Sequence, residues 1–434
     1  MKLFTKFPKS RRLWTGLLVL LLLLPGSIVH AEEVQKINYA DTAWIMVSSA
    51  MVMLMLPGLA LFYGGMVRRK NVLSTLMHSF IPLGVITIQW VVIGYSLSFG
   101  SDIGKFIGGL DKALLLGIDY TTINGTIPEY LFCMFQLMFA IITVALISGG
   151  MAERVKFKAY IVFIFVWSTI VYDPICHWVW GGGWLGELGA LDFAGGTVVH
   201  ISSGVAALAS ALVLKKRRGF PGKLMIPHSL PLTLLGAGLL WFGWFGFNAG
   251  SALAANEIAV LAFTNTQIAT GAGLLGWIAM EFYKAGKASA LGAASGIVAG
   301  LVAITPAAGF VEPLWAMVIG FAAGAICYVA VVMKIKIGYD DSLDVFGIHA
   351  IGGAWGAIAT GLFVTVGGTG LLAGNLNQVW IQFIGIAASA TYSFVVTYIL
   401  IILIDKTIGF RVDDEAEEMG LDTSEHGETG YNLV

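Results

Sequence analysis

Long runs of apolar residues, separated by short polar connections, dominate this chain. Eleven runs are long enough to cross a bilayer, since a membrane-spanning helix needs about 20 predominantly apolar residues. They cover residues 41–65, 72–99, 130–151, 158–179, 196–214, 228–251, 258–282, 288–306, 313–333, 343–365 and 377–404. The pattern therefore predicts an all-α integral membrane protein with eleven transmembrane helices.

The first 31 residues have the order of features that is typical of a secretory signal peptide. Basic residues precede an apolar run at 13–24, and small residues stand at the cleavage positions of Val29-His30-Ala31. Because this run is only about a dozen residues long, shorter than a span, we predict cleavage after Ala31. The alternative is an uncleaved first membrane helix. Residues 32–405 then form the membrane domain, and residues 406–434 form a tail.

The positions of the basic residues predict the orientation. Of 25 Lys and Arg residues, 17 lie in the tail or in the connections after odd-numbered spans, three lie in the other connections, and five lie in the first 31 residues. Basic connections remain on the cytoplasmic side. We therefore expect the mature N-terminus outside and the C-terminus in the cytoplasm.

Eleven spans divide into five, five and one, and the second five must enter the membrane from the opposite side to the first. This predicts the inverted repeat of many transporters. The fifth span of each half carries an acid, a histidine and a glycine in that order, namely Asp192, His200 and Gly204, and Asp344, His349 and Gly353. The acid and the histidine are eight residues apart in one half and five in the other, so the sequence alone leaves the repeat open.

Composition excludes several classes of protein. The chain is 57% hydrophobic and 12% charged, whereas soluble domains carry about 25% charged residues. A net charge of −1, with basic residues in small clusters, argues against a nucleic-acid partner. The three cysteines have no CxxC spacing and are interpreted as packing residues.

His200 and His349 lie inside predicted spans. At about 1.5 Å per residue, His200 is roughly 20 Å and His349 roughly 12 Å above the cytoplasmic edge of a core about 30 Å thick. The two can therefore face each other across the midplane. Ionisable groups at this depth usually line a pathway; the alternative is a packing role. His78, His177 and His228 lie nearer span ends or in connections, and no special role is predicted for them.

Aromatic and hydroxyl residues gather at the outer ends of spans four and six. Span six ends with Trp244, Phe247 and Ser251, and span four ends with Trp180. An aromatic face attracts a small cation, and a hydroxyl oxygen accepts from an ammonium N–H. Trp180 and Ser251 therefore form a candidate cation site, although the tryptophans can also belong to an interfacial belt. Asp192, near a helix start, either caps backbone N–H groups or attracts a cation.

An intramembrane metalloenzyme is the rival from another class. Asp192, His200, Asp344 and His349 are side chains of the types that bind zinc. The sequence has no HExxH motif, and Asp344, like Asp192, stands at a helix start, where capping is the expected role. We therefore predict no metal site, no cofactor and no enzymatic activity.

Four motifs, GGMAER, DFAGGTVVH, WFGWFGFNAGSA and DVFGIH, together resemble the bacterial ammonium transporter family of the Amt/MEP/Rh group. The resemblance covers essentially the whole chain. It implies a recruitment site at Trp180, Ser251 and Phe139, a gate at Phe139 and Phe247, and a pore lined by His200, His349 and Trp244. Asp192 matches the essential acid of that family.

The resemblance also implies a homotrimer in the cell inner membrane and a regulatory tail that meets a PII-class nitrogen-signalling protein. Our hypothesis is that ammonium loses its proton near the gate, because an unpaired ion is costly in a medium of low dielectric constant. Ammonia then passes two imidazoles that share one N–H and can relay the proton. The alternative is an ammonium sensor that signals through its tail.

Overall fold

The computed structural model describes residues 37–223 and 225–431, so the predicted signal peptide lies outside the described residues. Nearly all of the described chain outside its connections is helical. Each of the eleven predicted apolar runs contains a helix, and the ends agree to within four residues. The helices are α1 Tyr39–Met66, α2 72–99, α3 Glu129–Met151, α4 157–179, α5 Gly196–Leu214, α6 Leu230–Gly250, α7 Glu257–Ala285, α8 Ala290–Ile304, α9 Pro313–Ile337, α10 Phe346–Phe363 and α11 Leu376–Ile408.

Ten of these helices are long and apolar enough to cross a membrane, which makes the protein an integral membrane protein. The exception is α8, which has 15 residues and is therefore about 22 Å long against a hydrocarbon core of about 30 Å. An eleventh crossing stays a prediction.

Local sequence signals explain where several helices begin and end. The side chains of Asn38, Asn256 and Ser289 each accept a hydrogen bond from a backbone N–H in the first turn of α1, α7 and α8. Such caps satisfy donors that have no partner within the helix. Gly286 and Gly338 follow α7 and α9 with left-handed φ angles of 72° and 90°, a conformation that glycine adopts without a steric penalty.

Four of the helices contain a π-helical segment. These segments are Trp90–Gly94 in α2, Ser168–Tyr172 in α4, Gly196–Ile201 in α5 and Phe346–Ala350 in α10. A π segment changes the register of the side chains along the helix and is frequent at functional sites. The last two segments contain His200 and His349, so the register change lies where the predicted pathway lies.

Close contact between α5 and α10 brings the two halves of the chain together. A Cβ atom on Gly204 would lie 2.3 Å from the backbone nitrogen of Ala350, and one on Gly353 would lie 3.0 Å from the carbonyl oxygen of Gly196. Small residues at such crossings let helix backbones approach each other. Each glycine follows its histidine by four residues, so the crossing places the two imidazoles side by side.

The connection between α2 and α3 forms two antiparallel hairpins. In the first, β1 (Asp102–Ile103) pairs with β2 (Ile107–Gly108); in the second, β3 (Ile123–Asn124) pairs with β4 (Ile127–Pro128). A short 3₁₀ turn, Ala113–Leu115, lies between them, and a helical turn at Trp184–Leu188 follows α4. These elements lie at the ends of α2 and α4.

The tail folds against the ends of the membrane helices. It contains two short helices, α12 (Asp414–Met419) and α13 (Leu421–His426). The carboxylate of Asp422 accepts a hydrogen bond of 2.9 Å from Ser74 N near the start of α2, and that of Glu425 accepts one of 2.8 Å from Phe157 N at the start of α4. Acids of the tail thus cap two helices of the membrane domain.

Candidate functional site

The two predicted histidines meet inside the helical core. The Nδ1 atoms of His200 and His349 are 3.3 Å apart, and the residues are 1% and 4% exposed. A neutral imidazole has one N–H and one lone pair, so one ring donates to the other. The Nε2 atom of His200 is buried without a hydrogen-bond partner among the described residues. A role limited to packing would leave this nitrogen unexplained.

Trp244, the predicted pore tryptophan, stacks on His200. Their ring centroids are 5.4 Å apart with an angle of 27° between the planes. The Trp244 indole N–H donates to Thr305 Oγ1 at 2.9 Å, which fixes the ring. Both residues line a narrow cavity whose other walls are almost entirely apolar side chains of α1, α3, α6 and α8. The histidines are therefore the main polar groups in that cavity.

Phe139 and Phe247 form a pair of buried rings between this cavity and a second one. We call the second one the outer cavity, because it lies at the end of the helices that is predicted to face outward. Their ring centroids are 4.3 Å apart, and each residue is 1% exposed. Phe247 lines the cavity that contains the histidines, and Phe139 lines the outer one. Phe247 also stacks on His200 at 6.0 Å. The two residues that the family resemblance implies for a gate therefore lie between the two cavities.

The outer cavity contains the residues of the predicted recruitment site. Trp180, Ser251 and Phe139 all line it. The Trp180 ring meets Phe139 edge to face, with centroids 5.9 Å apart, and its N–H donates to the carbonyl oxygen of Asp192 at 2.9 Å. The Ser251 hydroxyl donates to the carbonyl oxygen of Phe247 at 2.8 Å. Its oxygen lone pairs remain able to accept a hydrogen bond.

Gln136 is a residue of the outer cavity that the sequence analysis did not identify. It lies three residues before Phe139 on α3, lines the same cavity, and has a buried Oε1 atom without a hydrogen-bond partner among the described residues. An amide oxygen of this kind can accept from a cation's N–H. The spacing of one helical turn from Phe139 is the signal that could have found it.

Asp192 is buried, and its carboxylate faces the start of α5. Its two oxygens accept four backbone hydrogen bonds of 2.6–3.0 Å, from Gly195, Gly196, Thr197 and Val198. These are the N–H groups that the first turn of a helix leaves without a partner. Each oxygen already accepts two N–H donors, so few lone pairs remain to bind a cation. The geometry favours capping among the two roles weighed for this acid.

The prediction that Asp344 caps α10 is wrong. The backbone N–H of Phe346 donates instead to Asp341 Oδ2 at 2.8 Å, whereas the Asp344 carboxylate pairs with Lys334. Asp341 precedes His349 by eight residues, the same spacing as from Asp192 to His200. Asp344 is the acid nearer to His349, whereas the spacing that the two turns share points to Asp341.

The left-handed backbone in these two turns falls on corresponding residues. Gly195 and Asp344 each lie three positions after the capping acid, with φ angles of 113° and 63°. A non-glycine residue in this conformation carries a steric penalty, which aspartate tolerates better than most. The two turns therefore share one backbone design.

The GGMAER motif lies at the opposite end of the helices from the outer cavity. Glu153 accepts hydrogen bonds from Arg68, Asn71 and Arg217, and Arg154 donates to the carbonyl oxygens of Gly150, Lys215 and Asp340. Burial would raise the pKa of Glu153, but Arg217 and Arg68 hold it below its ordinary value. The motif ties four connections together.

The described residues contain no group of three or more His, Cys, Asp or Glu side chains that could hold a metal ion. The four residues of the metalloenzyme alternative are also engaged otherwise. The histidines contact each other, Asp192 accepts four backbone donors, and Asp344 pairs with Lys334. The alternative finds no support in their arrangement.

Fold and site together define a polytopic helical membrane protein with two cavities that paired aromatic rings separate, one of them lined by two histidines. A profile of the Ammonium Transporter Family matches residues 43–431. An ammonium transporter of Bacillus subtilis is 51% identical over 399 residues, which cover 90% of this chain and 98% of that protein. Amt1 of Archaeoglobus fulgidus, also an ammonium transporter, is 49% identical and covers 90% of this chain and 99% of its own length.

Solved structures agree with these relatives. The crystal structure of Saccharomyces cerevisiae Mep2 has a TM-score of 0.85 at 37% identity and covers 90% of this chain and 92% of that one. A protein described as a sensor Amt protein has a TM-score of 0.84 at 28% identity and covers 89% and 98% of the two chains. The chain belongs to the ammonium transporter family.

Proposed function

We propose that this protein transports ammonium, by recruiting the cation at the outer aromatic site and passing ammonia through the histidine-lined pore. One observation carries the proposal, namely the buried contact of His200 with His349 in an otherwise apolar cavity, directly beneath the rings of Phe139 and Phe247. The substrate class comes from the relatives, whose names state ammonium transport. During the proposed transport, ammonium only loses and regains a proton. The proposal therefore includes no enzymatic activity and no cofactor.

Recruitment rests on the outer cavity. The face of Trp180 attracts a cation through its ring quadrupole, and Phe139 supplies a second ring beside it. The oxygens of Ser251 and Gln136 accept N–H donors of ammonium. Potassium gains the same attraction to the rings but donates no hydrogen bond. The acceptors therefore favour ammonium over an ion of similar charge.

The apolar surroundings beneath the outer cavity explain why ammonium would lose a proton there. Phe139 and Phe247 offer a cation no acceptor, and the cavity below is apolar apart from the histidines and the Trp244 indole. An unpaired ion in such surroundings costs many kcal/mol more than a neutral molecule. The passage therefore favours ammonia over ammonium.

The histidine pair gives ammonia a hydrogen-bonding partner in the apolar cavity. One imidazole donates to the other, so the pair presents both an N–H and a lone pair to the passage. Two linked imidazoles can also relay a proton, because each nitrogen can gain one as the other loses one. The pair thus supports ammonia conduction with coupled proton transfer.

Transport and recruitment are tested together in proteoliposomes that contain the full mature chain. We expect saturable uptake of radiolabelled methylammonium and a current on solid-supported membranes after an ammonium pulse, but not after a potassium pulse. Trp180→Leu should raise the half-saturating concentration about 2- to 30-fold, which corresponds to the 0.5–2 kcal/mol of a cation–π contact. The maximal rate should change less.

Trp380→Leu is the matched control, since Trp380 is 59% exposed at the start of α11 and suits an interfacial belt. Trp180→Phe, which keeps an aromatic face, should lie between wild type and Trp180→Leu. Equal half-saturation in all four proteins would refute the recruitment site. If the wild type shows neither methylammonium uptake nor an ammonium-evoked current, the transport proposal itself is refuted.

We extend the proposal to topology. Eleven crossings, with α8 as the eighth, place the N-terminus outside and the tail in the cytoplasm of a cell with an inner membrane. The distribution of 17 basic residues on one side supports this orientation. The equal spacing from Asp192 to His200 and from Asp341 to His349 supports an inverted repeat of five and five helices. The domain boundaries after residues 31 and 405 belong to the same proposal.

Assembly and regulation are also proposed from the family. A homotrimer in the bilayer, each subunit with its own pore, would present the tails together to a PII-class protein. The pore described above is formed entirely by one chain, so conduction does not require the tail. In the sensor alternative, the protein binds ammonium and signals through its tail, and conduction through the pore is not its main function.

Deleting the residues after Arg411 separates these roles. We expect the truncated protein to retain methylammonium uptake because no residue of the outer cavity or the histidine cavity lies in the tail. Thermal stability should fall modestly, since Asp422 and Glu425 no longer cap α2 and α4. Uptake and the melting temperature are measured on the same preparation. Complete loss of uptake at an unchanged melting temperature would contradict the assignment of conduction to the membrane domain.

A further inference from the structure

A buried histidine outside the proposed pathway lies next to the outer aromatic site. His177, in the last turn of α4, is 0% exposed. Its Nδ1 atom is 2.9 Å from the carbonyl oxygen of Ser98 at the end of α2, and its Nε2 atom is 2.9 Å from Asp102 Oδ1 in β1. Both ring nitrogens therefore face oxygen atoms.

The two contacts determine the charge of the ring. A carbonyl oxygen and a carboxylate oxygen only accept hydrogen bonds, and a neutral imidazole has one N–H to donate. Only the imidazolium form donates to both. A protonated Asp102 could instead donate to Nε2 of a neutral ring. However, the hydrogen bond from His177 holds the pKa of this carboxyl group below its ordinary value. The two contacts therefore favour an ionised Asp102 and a His177 ring that donates from both of its nitrogens.

Other charged groups surround the pair without replacing either partner. Lys105, in the turn of the first hairpin, is 3.6 Å from Asp102 Oδ2 and 2.5 Å from Glu187 Oε1. Asp111 accepts from the backbone of Ser101. Asp173, one turn earlier on α4, accepts from Gln89. Lys105 and Glu187 thus neutralise each other, which leaves Asp102 as the partner of His177.

The contact fixes the turn that begins at Trp180. The carbonyl oxygen of His177 accepts from the backbone N–H of Gly181 at 3.1 Å and of Gly183 at 2.9 Å. A Cβ atom on Gly181 would lie 2.0 Å from the carbonyl oxygen of Ser98 and 2.5 Å from Nδ1 of His177. The turn therefore passes directly over the histidine.

The first hairpin holds the same turn from the other side. The backbone N–H of Trp184 donates to the carbonyl oxygen of Lys105 at 3.0 Å, and the indole N–H of Trp178 donates to that of Phe106 at 2.8 Å. Asp102 belongs to this hairpin, so its bond to His177 is a third link between the hairpin and the end of α4. Residues on both sides of Trp180 are tied to the same hairpin.

We propose that protonated His177 and Asp102 are a positioning pair that holds Trp180 in place in the outer cation site. The proposal rests on the recruitment role of Trp180 given above. The pair does not line either cavity of the pathway. Its loss should therefore weaken recruitment of the cation and leave the maximal rate of transport unchanged.

The variants separate the two hydrogen bonds. In His177→Asn the amide nitrogen takes the place of Nδ1, so the bond to Ser98 remains and the bond to Asp102 is lost. Asp102→Ala removes the same bond from the other side. Each should raise the half-saturating concentration of methylammonium roughly three- to tenfold, as expected for one lost hydrogen bond. The double variant should be no worse than the singles, since both remove one interaction.

A rescue and a control test the specificity of the effect. In Asp102→Asn the carboxamide can donate to Nε2 of a neutral imidazole, so half-saturation should return toward the wild-type value. Glu187→Gln removes a charge from the same cluster without touching His177 and should have no effect. Unchanged half-saturation in both His177→Asn and Asp102→Ala, in a protein that transports, would overturn the positioning role.

The charge is measured independently of transport. Proteoliposomes labelled with ¹⁵N-histidine give the His177 signals as those missing from the His177→Asn spectrum. We expect two protonated ring nitrogens at neutral pH in the wild type and one in Asp102→Ala. A single protonated nitrogen in the wild type would overturn the proposal even if the protein transports. If the wild type fails to transport, these spectra still test the pair, whereas the proposed function alone fails.

Discussion

Simultaneous replacement of His200 and His349 by leucine is expected to abolish the ammonium-evoked current. Ammonia in the cavity would then lose its imidazole partner, which costs about 1–3 kcal/mol for each hydrogen bond left unmade. Methylammonium uptake should therefore fall roughly 5- to 150-fold. The current should fall further than the uptake, because the apolar side chains also remove the proposed proton relay. Both are measured in the same proteoliposomes.

Loss of the fold is not the expected reason for this effect. The two rings bond to each other through Nδ1, and replacing both members of a buried hydrogen bond by apolar groups is often nearly neutral for stability. The melting temperature of the double variant should therefore stay close to that of the wild type. His228→Leu is the control, because His228 contacts Val67 and Tyr431 away from both cavities.

The two readings separate the possible roles of the pair. Current lost together with uptake supports a shared path for ammonia and proton. If the double variant loses the ammonium-evoked current but retains methylammonium uptake, the histidines conduct the proton and are not needed for the neutral substrate. Current and uptake both equal to those of the wild type in a folded double variant would rule out any part of the pair in transport.

Replacing Asp192 by alanine is expected to prevent recovery of folded protein. The carboxylate accepts four backbone N–H groups in a buried turn, and each unsatisfied group costs about 1–3 kcal/mol. The sum is comparable with the whole stability of a typical domain, about 5–15 kcal/mol. The measurements are the monodisperse fraction after extraction in mild detergent and the melting temperature. Asp192→Asn, which keeps one acceptor oxygen, should lie in between.

Asp344→Asn is the matched control. Asp344 stands at the start of α10 as Asp192 stands before α5, but its carboxylate pairs with Lys334 while Asp341 accepts the backbone N–H. The pair is partly buried, but Lys334 also donates to the carbonyl oxygen of Asp341 at 2.8 Å, and the asparagine oxygen can still accept from it, so this variant should be recovered normally. If Asp192→Ala were as stable as the wild type but failed to transport, the acid would act on the cation rather than on the helix start.

The end of the helices opposite the outer cavity depends on a different type of stabilisation. Glu153 binds Arg68 and Arg217 from two connections, and the pKa of this buried carboxyl group lies below its ordinary value. A depressed pKa means that the pairing is present above the ordinary pKa of the carboxyl group and is lost as the pH falls through the lower one. GGMAER, one of the four motifs of the family resemblance, thus has a structural role in joining these connections.

Helix positions were largely predictable from the sequence. Bilayer thickness sets the length of an apolar run, so the eleven runs and their helices agree closely. The depth of His200 and His349 followed from counting residues to the nearest charged connection. The chemistry of the span ends supplied Trp180 and Ser251, the motif resemblance supplied Phe139, and the structure brings all three to one cavity. Composition excluded soluble and nucleic-acid-binding classes.

Other features required the folded chain. Asp341, and not Asp344, caps α10, because the left-handed backbone at Asp344 turns the chain so that Asp341 faces the N–H groups. Gln136 has no motif that marks it, and His177 was passed over because a histidine near a span end usually reaches water. In the folded chain the first hairpin covers His177 completely.

The sequence by itself determined that this protein lies in a membrane, where its helices run, and that two histidines lie on either side of the midplane, because hydrophobicity and helical rise are local properties. Only the tertiary structure decided that the two histidines touch. His200 and His349 are 149 residues apart in the chain, and their contact depends on two glycines that let α5 and α10 cross closely and on two π segments that rotate the side chains toward each other. Neither packing distance nor helical register is encoded by the pattern of apolar residues.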